Sequence, residues 1–257
     1  MTAIHETAYP RVRSNLTEQE LRDLYTPTAD DAAFVARTTQ SPVAAFGCMV
    51  LVKTFQRLGD FTAFDAFPPR LLAHIATALG VQEPHDTLHQ YEQRRLRGWH
   101  LPLIRDYLGI TAFSADGRRV LVGALLEAAR SKDILADLIN VGIETLVQAR
   151  YELPAFSTLR RAAQHARAQV NLSYYHQAYA ALDAGQRTML PQLLTRGEDE
   201  AGSLWQRLKR EPKQPTTKRL REYPAHVRGL QSMRPYGRER VIGGNKTNKR
   251  IRPISEN

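Results

Sequence analysis

Apolar side chains recur at helical spacing over most of the chain, and the polar residues between them punctuate helices. Thr17 and Glu20 form a capping box ahead of Leu21 and Leu24, and Thr28 with Asp31 repeats that signal before Phe34 and Val35. Ser41-Pro42 pairs an N-cap with a first-turn proline, and Gly59 closes the helix that this pair opens. That helix, about 42–58, is apolar nearly all round in its first half, which predicts a central core helix. Pro68-Pro69 opens a helix with Leu71, Leu72, Ile75, Ala76 and Leu79 on one face and Gly80 behind it. Residues 86–97 and 99–108 read as two more, ending at Gly109. Ser114 caps a helix near 115–130, residues 133–150 form the next, and residues 151–156 connect it to a long helix capped by Ser157 and running to about Leu182. Asp183 starts a short helix to Leu194.

Runs of alternating β-branched residues between turns do not occur, and the scrap Val241-Ile242-Gly243-Gly244 is too short to matter. The fold class read from this pattern is all-α: two consecutive helical modules of helix-turn-helix type, then a linker and a basic tail. The boundaries fall at 1–110 for the first module and 111–182 for the second. Residues 183–228 make a linker with short helices, including the acidic stretch 197–202, and residues 229–257 an irregular tail.

Charge changes this picture only at one end. The 257 residues hold 36 Lys+Arg and 26 Asp+Glu, a formal net charge of +10. Residues 1–110 carry 11 basic and 12 acidic side chains, whereas the last 54 carry 15 and 4. The whole excess therefore belongs to residues 204–257, a basic end that attracts any polyanion through counterion release without reading sequence, or is simply solvated. A single cysteine, Cys48, excludes a disulfide framework and a thiolate-rich zinc site. The longest apolar run, Val43–Val52, is half of what a membrane span needs, and the first residues lack a basic-then-apolar signal pattern. The expectation is a cytoplasmic protein with no membrane partner and no small-molecule substrate.

Catalytic constellations are weak. His85 and His89 at i and i+4 lack a third ligand of suitable spacing and default to surface histidines; Asp30-Asp31 is explained by helix capping, and no Ser/His/Asp or Cys/His set stands out. The Ser157 helix is more informative. At 100° per residue Leu159, Ala162, Ala163, Ala166 and Val170 share one face, and Arg160, Gln164, Arg167 and Asn171 form a stripe flanked by Arg161 and His165. Alanine on the inner face lets another helix approach closely. Arginine and glutamine on the outer face match guanine and adenine edges in a major groove, and Ser157 and Thr158 at the helix start suit a phosphate. The same stripe also fits a solvated face. Arg94 and Arg95 belong to a second basic cluster, 93–100, in which Trp99 reads first as a core anchor and otherwise as a stacking residue. Tyr9-Pro10-Arg11-Val12-Arg13 reads as an extended basic arm suited to a backbone or minor groove.

Four blocks occur in order: Tyr9-Pro10-Arg11 with Asn15–Leu21, Val52-Lys53-Thr54-Phe55-Gln56-Arg57-Leu58-Gly59, Leu103–Gly109, and Glu152–Leu159. Together they resemble the N-terminal region of the Tn-three family of transposases, the enzymes of replicative bacterial transposons, over about residues 5–228. The resemblance implies binding of double-stranded DNA at transposon terminal inverted repeats through tandem helical modules. It places Arg160, Arg161, Gln164, His165 and Arg167 in the groove and puts Lys53 and Arg57 in a block of unassigned contacts. It also implies that cleavage belongs to a distant RNase-H-like domain with magnesium on three acidic residues. The sequence stops before such a domain, so the expectation is a non-enzymatic fragment without a cofactor, with a full-length transposase as a further partner. Loss of periodicity after Arg228 suggests a broken reading frame near residue 229. The competing expectation is a helical protein-interaction module that does not touch DNA.

Overall fold

A computed structural model describes residues 3–195 and the isolated positions Ser203, Gln206, Pro224 and Arg228. The expected linker beyond residue 195, the irregular tail and the proposed frame break at 229 lie outside the described residues, those isolated positions apart. The described chain is all-α, with an isolated bridge between Thr111 and Tyr151. Two compact units divide the chain after Ala168.

In the first unit, α1 (Glu18–Tyr25) and α2 (Ala29–Thr38) start at the two expected capping boxes. Helix α3 (Pro42–Leu58) runs from the Ser41 cap to Gly59 in the left-handed region, and α4 (Pro69–Leu79) ends at left-handed Gly80. As its apolar first half requires, α3 is the centre of the core: Phe46, Met49, Val50 and Leu51 are fully buried, surrounded by Leu21, Phe34, Leu72, Ile75 and Ile104. Its approach to α5 (Pro84–Gln93) depends on Gly47, where a Cβ would fall on the ring of Tyr91. The Tyr91 hydroxyl hydrogen-bonds His100 Nδ1 at 2.7 Å inside the core. Helix α6 (Leu96–Leu108) follows after a break at Arg94-Arg95, with Arg95 at φ 55°. The break expected near Gly98 is thus displaced, and Gly98 lies within α6.

One buried carboxylate ties these helices together. Asp31 on α2 is 1% exposed. Its Oδ2 accepts from Lys53 Nζ of α3 and from Thr28 N–H, each at 3.0 Å. Its Oδ1 accepts from Gln56 Nε2 at 2.9 Å and from Tyr107 Oη of α6 at 3.0 Å. Above this hub the rings of Phe34 and Tyr107 stack at 4.2 Å. Burial pushes the Asp31 carboxyl up, but the Thr28 N–H and the Lys53 ammonium outweigh it and hold the group below the usual range. The same neighbourhood pushes the Tyr107 phenol up to about 12, by desolvation first and then by the adjacent carboxylate.

Helices α7 (Ala115–Ala128) and α8 (Leu135–Gln148) pack on each other, and Gly142 makes the contact close. A Cβ there would stand 2.8 Å from Leu121 of α7 and 3.7 Å from Leu159 of α9 (Phe156–Ala180). The segment 149–155 joins α8 to α9 and stitches them to the α3 and α6 ends. Leu153 N–H donates to Gly59 O at 2.8 Å, Thr111 N–H to Arg150 O at 2.8 Å, and Arg105 Nε to Glu152 at 2.8 Å. The boundary read near residue 110 falls inside this unit. The seven-residue join is longer than the ~3–4-residue turn of a helix-turn-helix.

In the second unit, α10 (Ala184–Leu194) starts at a reciprocal cap in which Asp183 and Gln186 each accept the other's backbone N–H. Arg187 donates to the Tyr179 and Ala180 carbonyls and covers the Tyr179 ring.

Asp31→Asn strands the Lys53 ammonium in the core, a loss expected at about 3–5 kcal/mol in denaturant unfolding. Lys53→Met leaves the carboxylate three donors and costs less. Because the folded-state value of Asp31 lies below the unfolded one, its contribution is complete above about pH 4 and drains as pH falls through the depressed value. The stability gap between wild type and Asp31→Asn therefore narrows in acid; a gap that stays constant with pH refutes this role for the charge.

Candidate nucleic-acid interface

The first half of α9 presents the outward stripe on a small-residue backing. Leu159, Ala163 and Ala166 are buried, and Arg161, Gln164 and His165 are exposed. Arg160, Arg167 and Asn171 are half-buried, so they edge the buried face instead of leading the exposed one. The centre of the open face is rotated from the expected line, because Leu159, Ala163 and Ala166 orient the helix about its axis. Arg167 is also tethered, donating from Nη1 to the Asp133 carbonyl at 3.1 Å.

Ser157 does not cap the helix, which begins one residue earlier at Phe156. The N–H groups of Thr158 and Leu159 both turn back to the Ala155 carbonyl. The exposed Ser157 and half-buried Thr158 lie in the first turn, their hydroxyls beside the positive end of the helix.

The N-terminal arm, residues 8–13, has no regular secondary structure and is clamped to the body. Ala8 N–H donates to Asn140 Oδ1 at 2.7 Å, and Tyr9 Oη donates to Asp60 at 3.1 Å and to the Pro154 carbonyl at 3.2 Å. The Tyr9 ring meets Phe156 edge-on at 5.6 Å. Burial pushes both the Tyr9 phenol and the Asp60 carboxyl up. Tyr9 thus docks the arm against the first turn of α9 and joins two elements far apart in sequence. Arg11 and Arg13 remain exposed; Arg13 reaches Glu20 at 3.6 Å, a surface pair. Sequence reasoning named the arm but missed Tyr9 and Asp60 as its anchor.

Lys53 is a correction. At 5% exposure, with its ammonium committed to Asp31, it faces no solvent and contributes to stability, not to a surface. Arg57, one turn later, is exposed. In the second cluster Arg94 and Arg95 are exposed, while Arg97 turns inward, donating to the Phe61 and Thr62 carbonyls and lying 5.2 Å from the Phe64 ring centre. Trp99 is not a core anchor: it is 78% exposed on α6, with Leu103 exposed one turn on. The core position on this helix goes to His100, which bonds Tyr91. His85 and His89 are exposed, His89 bonding Gln93. Among the described residues no group of three or more His, Cys, Asp or Glu side chains has a metal-binding arrangement, and burial pushes the Cys48 thiol up to about 12, far from nucleophilic. Nor is any described helix long and apolar enough to cross a membrane.

Against known proteins, residues 1–166 match the family described as "Domain of unknown function (DUF4158)". Over 146 residues the chain is 29% identical to the transposase for transposon Tn501 of Pseudomonas aeruginosa. That alignment covers 56% of this chain and 14% of the relative, so the chain corresponds to a small part of the longer protein.

Tyr9→Phe deletes a hydrogen bond to a carboxylate and one to a carbonyl. Expected is a loss of roughly 1–3 kcal/mol from the docked arm, read as faster tryptic cleavage after Arg11 and Arg13 with the body intact. Unchanged cleavage kinetics show that the clamp does not hold the arm.

Proposed function

We propose a function from a plain premise: the chain belongs to the DUF4158 family. It serves DNA transposition by binding double-stranded DNA at transposon terminal inverted repeats. In this reading it is the recognition portion of a transposase, and strand cleavage resides elsewhere in the longer protein. The supporting observation is the docking of the basic arm against the start of α9 by Tyr9, which groups Arg11, Ser157, Thr158 and the Arg161–Gln164–His165 face in one compact unit. The similarity to the Tn501 transposase supports the same reading.

Each part has a distinct task. Arg161, with Arg160 at the edge, presents paired donors to base edges, and Gln164 a donor and an acceptor. Ser157, Thr158, Arg11, Arg13 and Arg57 take phosphates, which set register without reading sequence. Arg167 holds the 133–135 turn against α9 and contributes charge from the side. Arg94 and Arg95 are assigned to backbone contact. No cofactor is assigned to these residues; the magnesium chemistry implied by the resemblance to Tn-three transposases is assigned to acidic residues outside this region. A full-length transposase is a further partner.

A second reading, a protein-interaction module, rests on the exposed Trp99 and Leu103. It does not use the apolar helix α3, whose surface is consumed by the core.

A gel shift with the terminal repeat bordering the coding sequence, against a scrambled duplex, separates the two. Preference for the repeat is expected, and Arg161→Ala or Gln164→Ala is expected to weaken repeat binding by about 1–3 kcal/mol while sparing the scrambled duplex. Equal losses on both duplexes reassign these side chains to phosphates. No binding to either duplex favours the interaction module.

A further inference from the structure

A cleft of about 380 Å³ opens beside the arm, within the usual range for ligand sites. Phe55, Leu58, Ile143 and Val147 make its walls apolar, and Val147 is 54% exposed. Two exposed guanidiniums, Arg57 and Arg150, stand in the lining, which contains no carboxylate. Outside the cleft, Glu20 is shared between Arg13 and, more weakly, Arg57.

Arg150 occupies its place against backbone preference. It holds φ 60° immediately after α8, its N–H bonding Val147 O while Tyr151 N–H bonds Leu146 O. Glycine takes that conformation without a Cβ penalty, and this chain uses glycine at the corresponding ends of α3, α4 and α6. An arginine there brings a cation to the cleft lining at a cost in backbone strain.

We propose that this cleft seats one unpaired nucleotide of a DNA strand, its base against the apolar wall and its phosphate between Arg57 and Arg150. The inference deepens the DNA-binding reading above and rests on it. A nucleotide joins a flat, weakly polar ring to an anion at short range, the combination this lining complements. Tyr151, half-buried in the lining, offers a ring for stacking. Arg11, exposed and next in the chain to Pro10 of the lining, supplies a cation for the flanking phosphate. The half-buried Tyr151 ring and apolar wall beside the two guanidiniums favour a nucleotide, which has a flat ring to stack, over an acidic peptide.

The test titrates the full chain with a terminal-repeat duplex carrying one unpaired 2-aminopurine nucleotide and with the same duplex fully paired. Expected is ~10-fold tighter binding of the unpaired form, with a change in 2-aminopurine fluorescence on seating. Arg150→Gly, which relieves the strained backbone and should not lower Tm, is expected to bring the ratio near one while paired-duplex binding persists. Val147→Glu, at an exposed position, does the same from the opposite wall. Equal binding of both duplexes by the wild type overturns the cleft assignment and leaves the DNA reading standing. Binding of neither overturns that reading and this inference with it. Protection of Arg150 from phenylglyoxal by an acidic, leucine-containing peptide but not by the unpaired duplex assigns the cleft to protein and overturns the proposal.

Discussion

A carboxylate with almost no access to water holds α2, α3 and α6 in register. A bare ion in that position would be prohibitive, so the fold tolerates Asp31 only because both oxygens are filled. The donors come from α2's own cap, from α3 and from α6, so three helices meet correctly or the charge is stranded. Such a pair is weak as a source of stability and strict as a condition on geometry. From this hub α3 runs on to Gly59, whose carbonyl accepts from Leu153, and α6 carries Arg105, which holds Glu152 of the 149–155 segment. The placement of α9 is therefore a downstream consequence of a contact far from its exposed face.

Helix boundaries were legible because their causes are local. Thr17, Thr28, Ser41 and Ser114 donate no long-range information, yet each sets a helix start by accepting a backbone N–H within a few residues. Gly59, Gly80 and Gly109 end helices for an equally local reason. Failures occurred where two local signals competed. Gly98 read as a break, but arginine at position 95 took the left-handed conformation instead, and Ser157 read as a cap although the Ala155 carbonyl starts the helix. Trp99 was misplaced because residue size argues for burial, whereas the helical face of α6 gives that position to His100.

The site was legible at the level of elements and not of side chains. Periodicity identified the α9 stripe, yet its rotation depended on which residues pack inward, and that placed Arg160 and Arg167 on the flank. Asp31 carried a readable signal: it precedes Phe34 and Val35 by three and four positions and so shares their inward face. Its partner did not, since nothing local to Lys53 announces a carboxylate twenty-two residues earlier. Tyr9, Asp60 and Pro154 meet only in three dimensions, so the arm looked free in sequence and is fixed in space.

That fixation changes the thermodynamic character of any contact the arm makes. A floppy cationic segment must surrender its conformational freedom when it settles on a polyanion, and the entropy lost offsets much of the charge attraction. Here the ordering has already occurred during folding, anchored by a phenol and a carboxyl that burial keeps from ionising easily. Arg11 therefore arrives as part of a rigid template, and encounter with a matching surface is a docking of two preset shapes, without a coupled folding event.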